Sequence, residues 1–83
     1  MSDKFRAAGE FYGHLLTELD SGTVAMKYQG QIFTYWWRYK INNKYLSAKI
    51  RMTDAELIQT RFLGDLAKEV AAGWRREIKE SQQ

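Results

Sequence analysis

Six cations occupy the middle of this chain without an acid among them: Lys27, Arg38, Lys40, Lys44, Lys49 and Arg51 all fall between Ser21 and Thr53. Trp36 and Tyr45 are interleaved with them. Cations at intervals can neutralise successive phosphates while rings stack on bases, and proteins hold single-stranded nucleic acid in this way. The same residue types, Trp, Tyr and Arg, are enriched at protein–protein hot spots. Lys and Arg also serve simply to discourage the edges of a sheet from pairing. Three readings are therefore open for this segment: nucleic-acid contact, contact with an acidic protein surface, and plain solvated surface.

Catalytic and metal chemistry find little support. His14 is the only histidine and there is no cysteine, so no thiolate or paired-histidine metal site is expected. His14 reads as a helix-surface residue. Glu10, Glu18 and Glu56 are the acids to consider for general acid or base work. No nucleophile or pocket-forming motif accompanies them, and carboxylates on helix surfaces are ordinarily just solvated. A phosphate-binding glycine loop is absent. Gly9-x-x-x-Gly13 has the form of a membrane-helix contact, but it lies in a charged segment too short to span. The expectation is a protein that is not an enzyme, with no cofactor, metal or small-molecule substrate.

The elements that would carry these residues follow from periodicity. Residues 3–20 read as an amphipathic helix, with Phe5, Ala8, Tyr12, Leu15, Leu16 and Leu19 at steps of three and four. Ser2 is a candidate N-cap and Gly22 a candidate C-terminal glycine. Residues 23–28, 31–41 and 44–52 are rich in β-branched and aromatic residues and read as strands, with turns at Gln29-Gly30 and Asn42-Asn43. Thr53-Asp54-Ala55-Glu56 has the form of a capping box. A helix is expected from about residue 54 to about 79, with Ala55, Ile58, Phe62, Leu66, Val70 and Trp74 as its apolar stripe and Leu63 and Ala67 beside them. Gly64 and Gly73 could kink or split it, and the residues from Glu80 to Gln83 should fray. The fold class is α+β, with order α-β-β-β-α: a three-stranded antiparallel sheet with helices packed on one face.

Alternation within the strands then sorts the side chains. Phe33, Tyr35, Trp37, Tyr39 and Ile41 share one face of the second strand. Ile32, Thr34, Trp36, Arg38 and Lys40 share the other. Leu46, Ala48, Ile50 and Met52 oppose Tyr45, Ser47, Lys49 and Arg51 in the third strand, and Val24, Met26 and Tyr28 oppose Ala25 and Lys27 in the first. One apolar face should be buried, with Tyr35 and Trp37 inside and Trp36 at least partly exposed. Gly9, Gly13 and the alanines of the last helix are expected to let the helices approach the bulky rings. The opposite face would be basic and aromatic. Net charge supports this division: residues 1–20 carry −2, residues 21–53 carry +6 and residues 54–83 carry −1. Arg75-Arg76 could extend the basic surface, but their place near a helix C-terminus favours a structural role.

The 83 residues make one small domain, spanning 1–83. Below roughly 70–80 residues a lone core rarely supplies more than about 3–5 kcal/mol, so a homodimer or a bound partner would be a useful stabiliser. No apolar run approaches the roughly 18 residues of a membrane span, the N-terminus lacks the blocks of a signal peptide, and the absence of cysteine suits a reducing compartment. A cytoplasmic protein without membrane contact is the expectation.

The order α-β-β-β-α resembles that of the double-stranded-RNA-binding domain. That family aims a lysine cluster at the start of its last helix towards phosphate. Here the same place reads Asp54-Ala55-Glu56, acids that suit the positive end of a helix dipole and would repel a docked phosphate. The resemblance is one of element order only. Some small phage-encoded inhibitors of CRISPR complexes share the order as well, again at the level of fold, which does not fix function. The residues favour a non-enzymatic binding module whose basic sheet face contacts a nucleic acid or a nucleic-acid-handling complex. The alternative is a protein-binding inhibitor or adaptor, such as a phage or mobile-element anti-host factor of the anti-CRISPR kind, acting without nucleic-acid contact.

Overall fold

A computed structural model of the chain describes residues 3–81; Ser2, the candidate N-cap, and Gln82 and Gln83 lie outside them. The elements are α1 (Asp3–Glu18), β1 (Thr23–Gln29), β2 (Ile32–Ile41), β3 (Lys44–Thr53), α2 (Asp54–Gln59) and α3 (Leu63–Ser81). The strands form one antiparallel sheet in the order β1-β2-β3. On its inner side α1 lies over β1, α2 and α3 lie over β3, and α1 packs along both other helices. The expected α+β architecture is therefore present, with the last helix divided.

Two-residue turns set the register. Gly30 and Gln31 have φ of 58° and 65°, and Asn42 and Asn43 have φ of 50° and 62°. Positive φ at both central positions belongs to the type I′ turn, whose twist matches that of the strands it joins. The first turn thus sits one residue later than expected, at Gly30-Gln31, and Gln29 is the last residue of β1. The Gln31 carbonyl accepts the Asp54 N–H at 3.2 Å, tying this turn to the start of α2.

The core is built on the inward residues of β2. Phe33, Tyr35 and Trp37 are buried, as are Val24, Ala48 and Met52 beside them. Their register is Val24↔Trp37↔Ala48, with Phe33 facing Tyr28 and Met52. Trp37 is flanked by the smaller Val24 and Ala48, while Phe33 stacks on Tyr28. Met26 shares the inward parity yet is left exposed, because α1 covers only part of the edge strand. From the helices come Ala7, Ala8, Phe11, Leu15, Leu57, Leu63, Ala67, Val70, Ala71, Trp74 and Ile78. Phe11 is completely buried and meets the Tyr35 ring edge to face at 4.9 Å. Phe5 and Leu16, expected on the buried stripe of α1, are about half exposed.

Gly9 and Gly13 do not perform the role expected of them. Nothing lies within 4 Å of where a Cβ would be at either; both face outward, and the close approach to the sheet is made at Ala8, whose carbonyl accepts the Tyr35 hydroxyl at 2.9 Å. Gly22 is not a helix cap either. Helix α1 ends four residues earlier, where the Arg75 guanidinium donates to the Glu18 carbonyl. At Gly22, with φ of 79°, a Cβ would stand 2.5 Å from Trp37 Nε1 and 2.6 Å from the Arg38 carbonyl oxygen. The chain crosses Trp37 here, and the Trp37 indole donates to the Ser21 carbonyl at 2.7 Å.

The capping box forms as expected. The Thr53 hydroxyl accepts the Glu56 N–H at 3.1 Å and the Glu56 carboxylate accepts the Thr53 N–H at 3.4 Å. Glu56 is thereby committed to structure. The helix it starts breaks at residues 60–62, ahead of Gly64, while Gly73 lies inside unbroken helix. Phase explains the break. Leu57 and Leu63 are both buried, yet six residues of continuous helix would set them about 120° apart. Dividing the helix lets both point inward. The buried stripe becomes Leu63, Ala67, Val70, Ala71, Trp74 and Ile78, whereas Ala55 is exposed, Ile58 and Phe62 are 50% and 63% exposed, and Leu66 is only partly buried. Helix continues through Glu80 and Ser81, where fraying was expected.

Two outcomes follow for stability. Gly22→Ala should lower the unfolding free energy by at least about 1–2 kcal/mol, the cost of a left-handed non-glycine residue. Gly9→Ala and Gly13→Ala should each raise it by about 0.5–1 kcal/mol, all measured by urea unfolding. Burial also holds the Tyr35 phenol above its ordinary value of about 10. An acid whose neutral form is favoured by folding contributes stability that is complete below the unfolded value and lost above it. Stability should therefore fall between pH 10 and 11 by up to about 1.4 kcal/mol per unit from this group, and Tyr35→Phe should remove that component.

Candidate nucleic-acid interface

The outer face of the sheet is ordered in rows by the register. Lys27, Thr34 and Arg51 form one row, Ala25, Trp36 and Lys49 the next, then Thr23, Arg38 and Ser47, and finally Lys40 with Tyr45. Neighbouring strands lie about 4.8 Å apart and successive rows about 6.7 Å apart. The long stems of Lys and Arg can thus place five positive heads over a surface only a few rows deep. Lys27, Arg38, Lys40, Lys49 and Arg51 are all exposed, and Trp36 is half-buried while Trp37 behind it is buried.

Of the eight residues expected in this site, the structure brings together all but Lys44. Lys44 pairs with Ile41 at the end of the β2–β3 hairpin. That position has the parity of the core face, so alternation directs it away from the other cations. Gln29, Ile32 and Thr34 join the site as lining residues. Their parity in the strands was the signal for them, since each shares a face with Lys27 or Trp36.

Trp36 stands between two hollows. One, of about 320 Å³, is lined by Lys27, Gln29, Ile32, Thr34, Trp36, Lys49 and Arg51. The other, of about 300 Å³, is bounded by Thr23, Ala25, Trp36 and Arg38. Both exist because the residues beside and before the indole, Ala25 and Thr34, are small. Tyr45 is 65% exposed but not unengaged: the Arg38 guanidinium and the Lys40 ammonium lie 5.5 Å and 5.6 Å from its ring centre. Such contacts are worth about 0.5–1 kcal/mol at exposed sites. They hold two like charges that would otherwise repel along β2, while Trp36 is the ring that borders both hollows.

No ion pair among the described residues involves a cation of this face. Among the described residues the ion pairs lie on α1, between Arg6 and both Asp3 and Glu10. The acids of the chain lie outside 21–53, and two of them, Glu77 and Glu80, line a hollow with Lys49 without an ion pair to it among the described residues. Five positive charges on one face, with carboxylates near it only at Lys49, create a field that attracts polyanions and raises their encounter rate. Among the described residues no three histidine or acid side chains gather as a metal-binding group, and no helix is long and apolar enough to cross a membrane. His14 is exposed, with its ring against Gly64.

The three indoles should be separable by quenching. Trp37 and Trp74 are each 4% exposed, so acrylamide should quench chiefly the emission of Trp36. Trp36→Phe should abolish most of the quenchable fraction and leave a protected remainder.

No protein-family model, curated protein or solved structure matches this chain, and the character of the face rests on its own residues.

Proposed function

We propose that this chain is a non-enzymatic binding module whose outer sheet face binds single-stranded nucleic acid, or a complex that handles it. The observation that carries this reading is the set of five cations, none in an ion pair among the described residues, around Trp36, an indole that borders two hollows. Cations track the phosphates of such a ligand, and a ring with free space beside it accepts a base. A purely solvated face has no need of a large ring flanked by hollows. The helices contribute the acids, so the field is concentrated on one side of the molecule.

Salt dependence tests the reading. Four or five phosphate contacts from Lys27, Arg38, Lys40, Lys49 and Arg51 should give a log–log slope of affinity against salt near −3, at about −0.7 per contact for a single strand. Lys49→Ala should flatten that slope by about 0.7 and weaken all base sequences alike. Trp36→Ala should cost about 1–3 kcal/mol with little change in slope. Fluorescence anisotropy with labelled oligonucleotides separates the two effects. Absence of binding at about 50 mM salt, where electrostatic contacts are strong, would overturn the nucleic-acid reading. An acidic protein surface would then be the ligand to test against the same two variants.

A further inference from the structure

The larger hollow has the shape and chemistry of a place for one nucleotide, an inference that rests on the single-strand reading above. Its floor is Thr34, and Ile32 and Trp36 bound it along β2. These two are four residues apart, about 13 Å between Cα atoms, so they bracket a space and do not fill it. A planar base entering there stacks on the indole and has the Ile32 side chain at its other side. The Thr34 hydroxyl beneath can both donate and accept, which lets it meet the edge of any base. Selection among bases is therefore weak.

The cations lie across the hollow. Lys27 and Arg51 pair with Thr34 from opposite sides, about 9.6 Å apart between backbones, and Lys49 lines the same hollow next to Trp36. A nucleotide inside a strand carries a phosphate on each side of its sugar. We propose that this hollow is a subsite for one internal nucleotide of a single strand, with its base on Trp36, one flanking phosphate at Lys27 and the other at Arg51 and Lys49. A base in a paired duplex cannot enter, because it would have to leave its stack and its partner.

Small competitors test the subsite without ambiguity of register. A labelled oligothymidylate and a labelled oligouridylate are bound first, and thymidine 3′,5′-bisphosphate, thymidine 5′-monophosphate and deoxyribose 3′,5′-bisphosphate are used to displace them. The base-bearing bisphosphate should compete about 5- to 150-fold better than the base-free one. Trp36→Ala should erase that difference and Trp36→Phe should retain most of it. Loss of one phosphate should weaken competition about 1.4- to 5-fold, and Lys27→Gln should reduce that penalty. Far-UV circular dichroism of each variant checks that the substitution leaves the fold intact. Equal competition with and without the base, or a base effect that survives Trp36→Ala, overturns the subsite while strand binding by the face stands. Failure of both labelled strands to bind overturns the subsite together with the reading beneath it. Against whichever strand binds, an advantage of the base-bearing bisphosphate that Trp36→Ala removes supports the subsite, and comparison of oligouridylate with oligodeoxyuridylate, which differ only in the 2′-hydroxyl, separates RNA from DNA as its source.

Discussion

Burial of the odd-numbered side chains of β2 is the constraint on which the rest of the molecule depends. Phe33, Tyr35 and Trp37 lie behind the sheet with almost no exposure, and each is held in a particular way. Phe33 stacks with Tyr28 at 4.2 Å, the Tyr35 hydroxyl donates to the Ala8 carbonyl, and the Trp37 indole donates to the Ser21 carbonyl. A slip of one residue would carry all three rings into water and bring Trp36 and Arg38 inside. Leaving the Tyr35 hydroxyl or the Trp37 indole buried without its partner would cost about 1–3 kcal/mol each. No polar side-chain atom is left in that condition among the described residues.

The same constraint creates the outer face. Once the odd residues are inside, the even ones must be outside, and the two type I′ turns transmit that choice to β1 and β3. Lys27, Lys49 and Arg51 are thereby gathered with Arg38 and Lys40 although up to twenty-four positions separate them in the chain. Like charges so arranged repel one another and oppose folding. The rings in part offset this, with Tyr45 holding Arg38 and Lys40. Any anion bound on this face would relieve the rest and so stabilise the fold.

Helix placement completes the separation of charge. Acidic α1 and the α2–α3 pair pack on the inner face, and among the described residues no carboxylate forms an ion pair with a sheet cation, although Glu77 and Glu80 of α3 line a hollow with Lys49 beside β3. Arg75 is drawn the other way, to the C-terminal end of α1, where its guanidinium satisfies the Glu18 carbonyl. A cation there also complements the partial negative charge of the helix end. Arg75 therefore joins the helices together and does not extend the basic face.

Alternation alone was enough to assign the strands, to bury Tyr35 and Trp37, to expose Trp36 and to collect Lys27, Arg38, Lys40, Tyr45, Lys49 and Arg51. A period of two leaves no other arrangement when one face is apolar. Thr53 and Glu56 likewise announced their capping box, since both partners lie within one turn of chain. Other features depended on what each residue meets across space. Charge alone groups Lys44 with the other cations, but its face is set by the turn at Asn42-Asn43. Small size alone suggests Gly9 and Gly13 as contacts, yet only the orientation of α1 on the sheet decides which small residue approaches a ring, and that residue is Ala8. The burial of Phe11 depends on the same orientation, and a stripe through Ile58 and Phe62 holds only for unbroken helix. The requirement that Leu57 and Leu63 both reach one core, six residues apart, belongs to packing and overrides the local period. The hollows beside Trp36 are also tertiary: they arise where small residues on two adjacent strands meet in register beside one large ring.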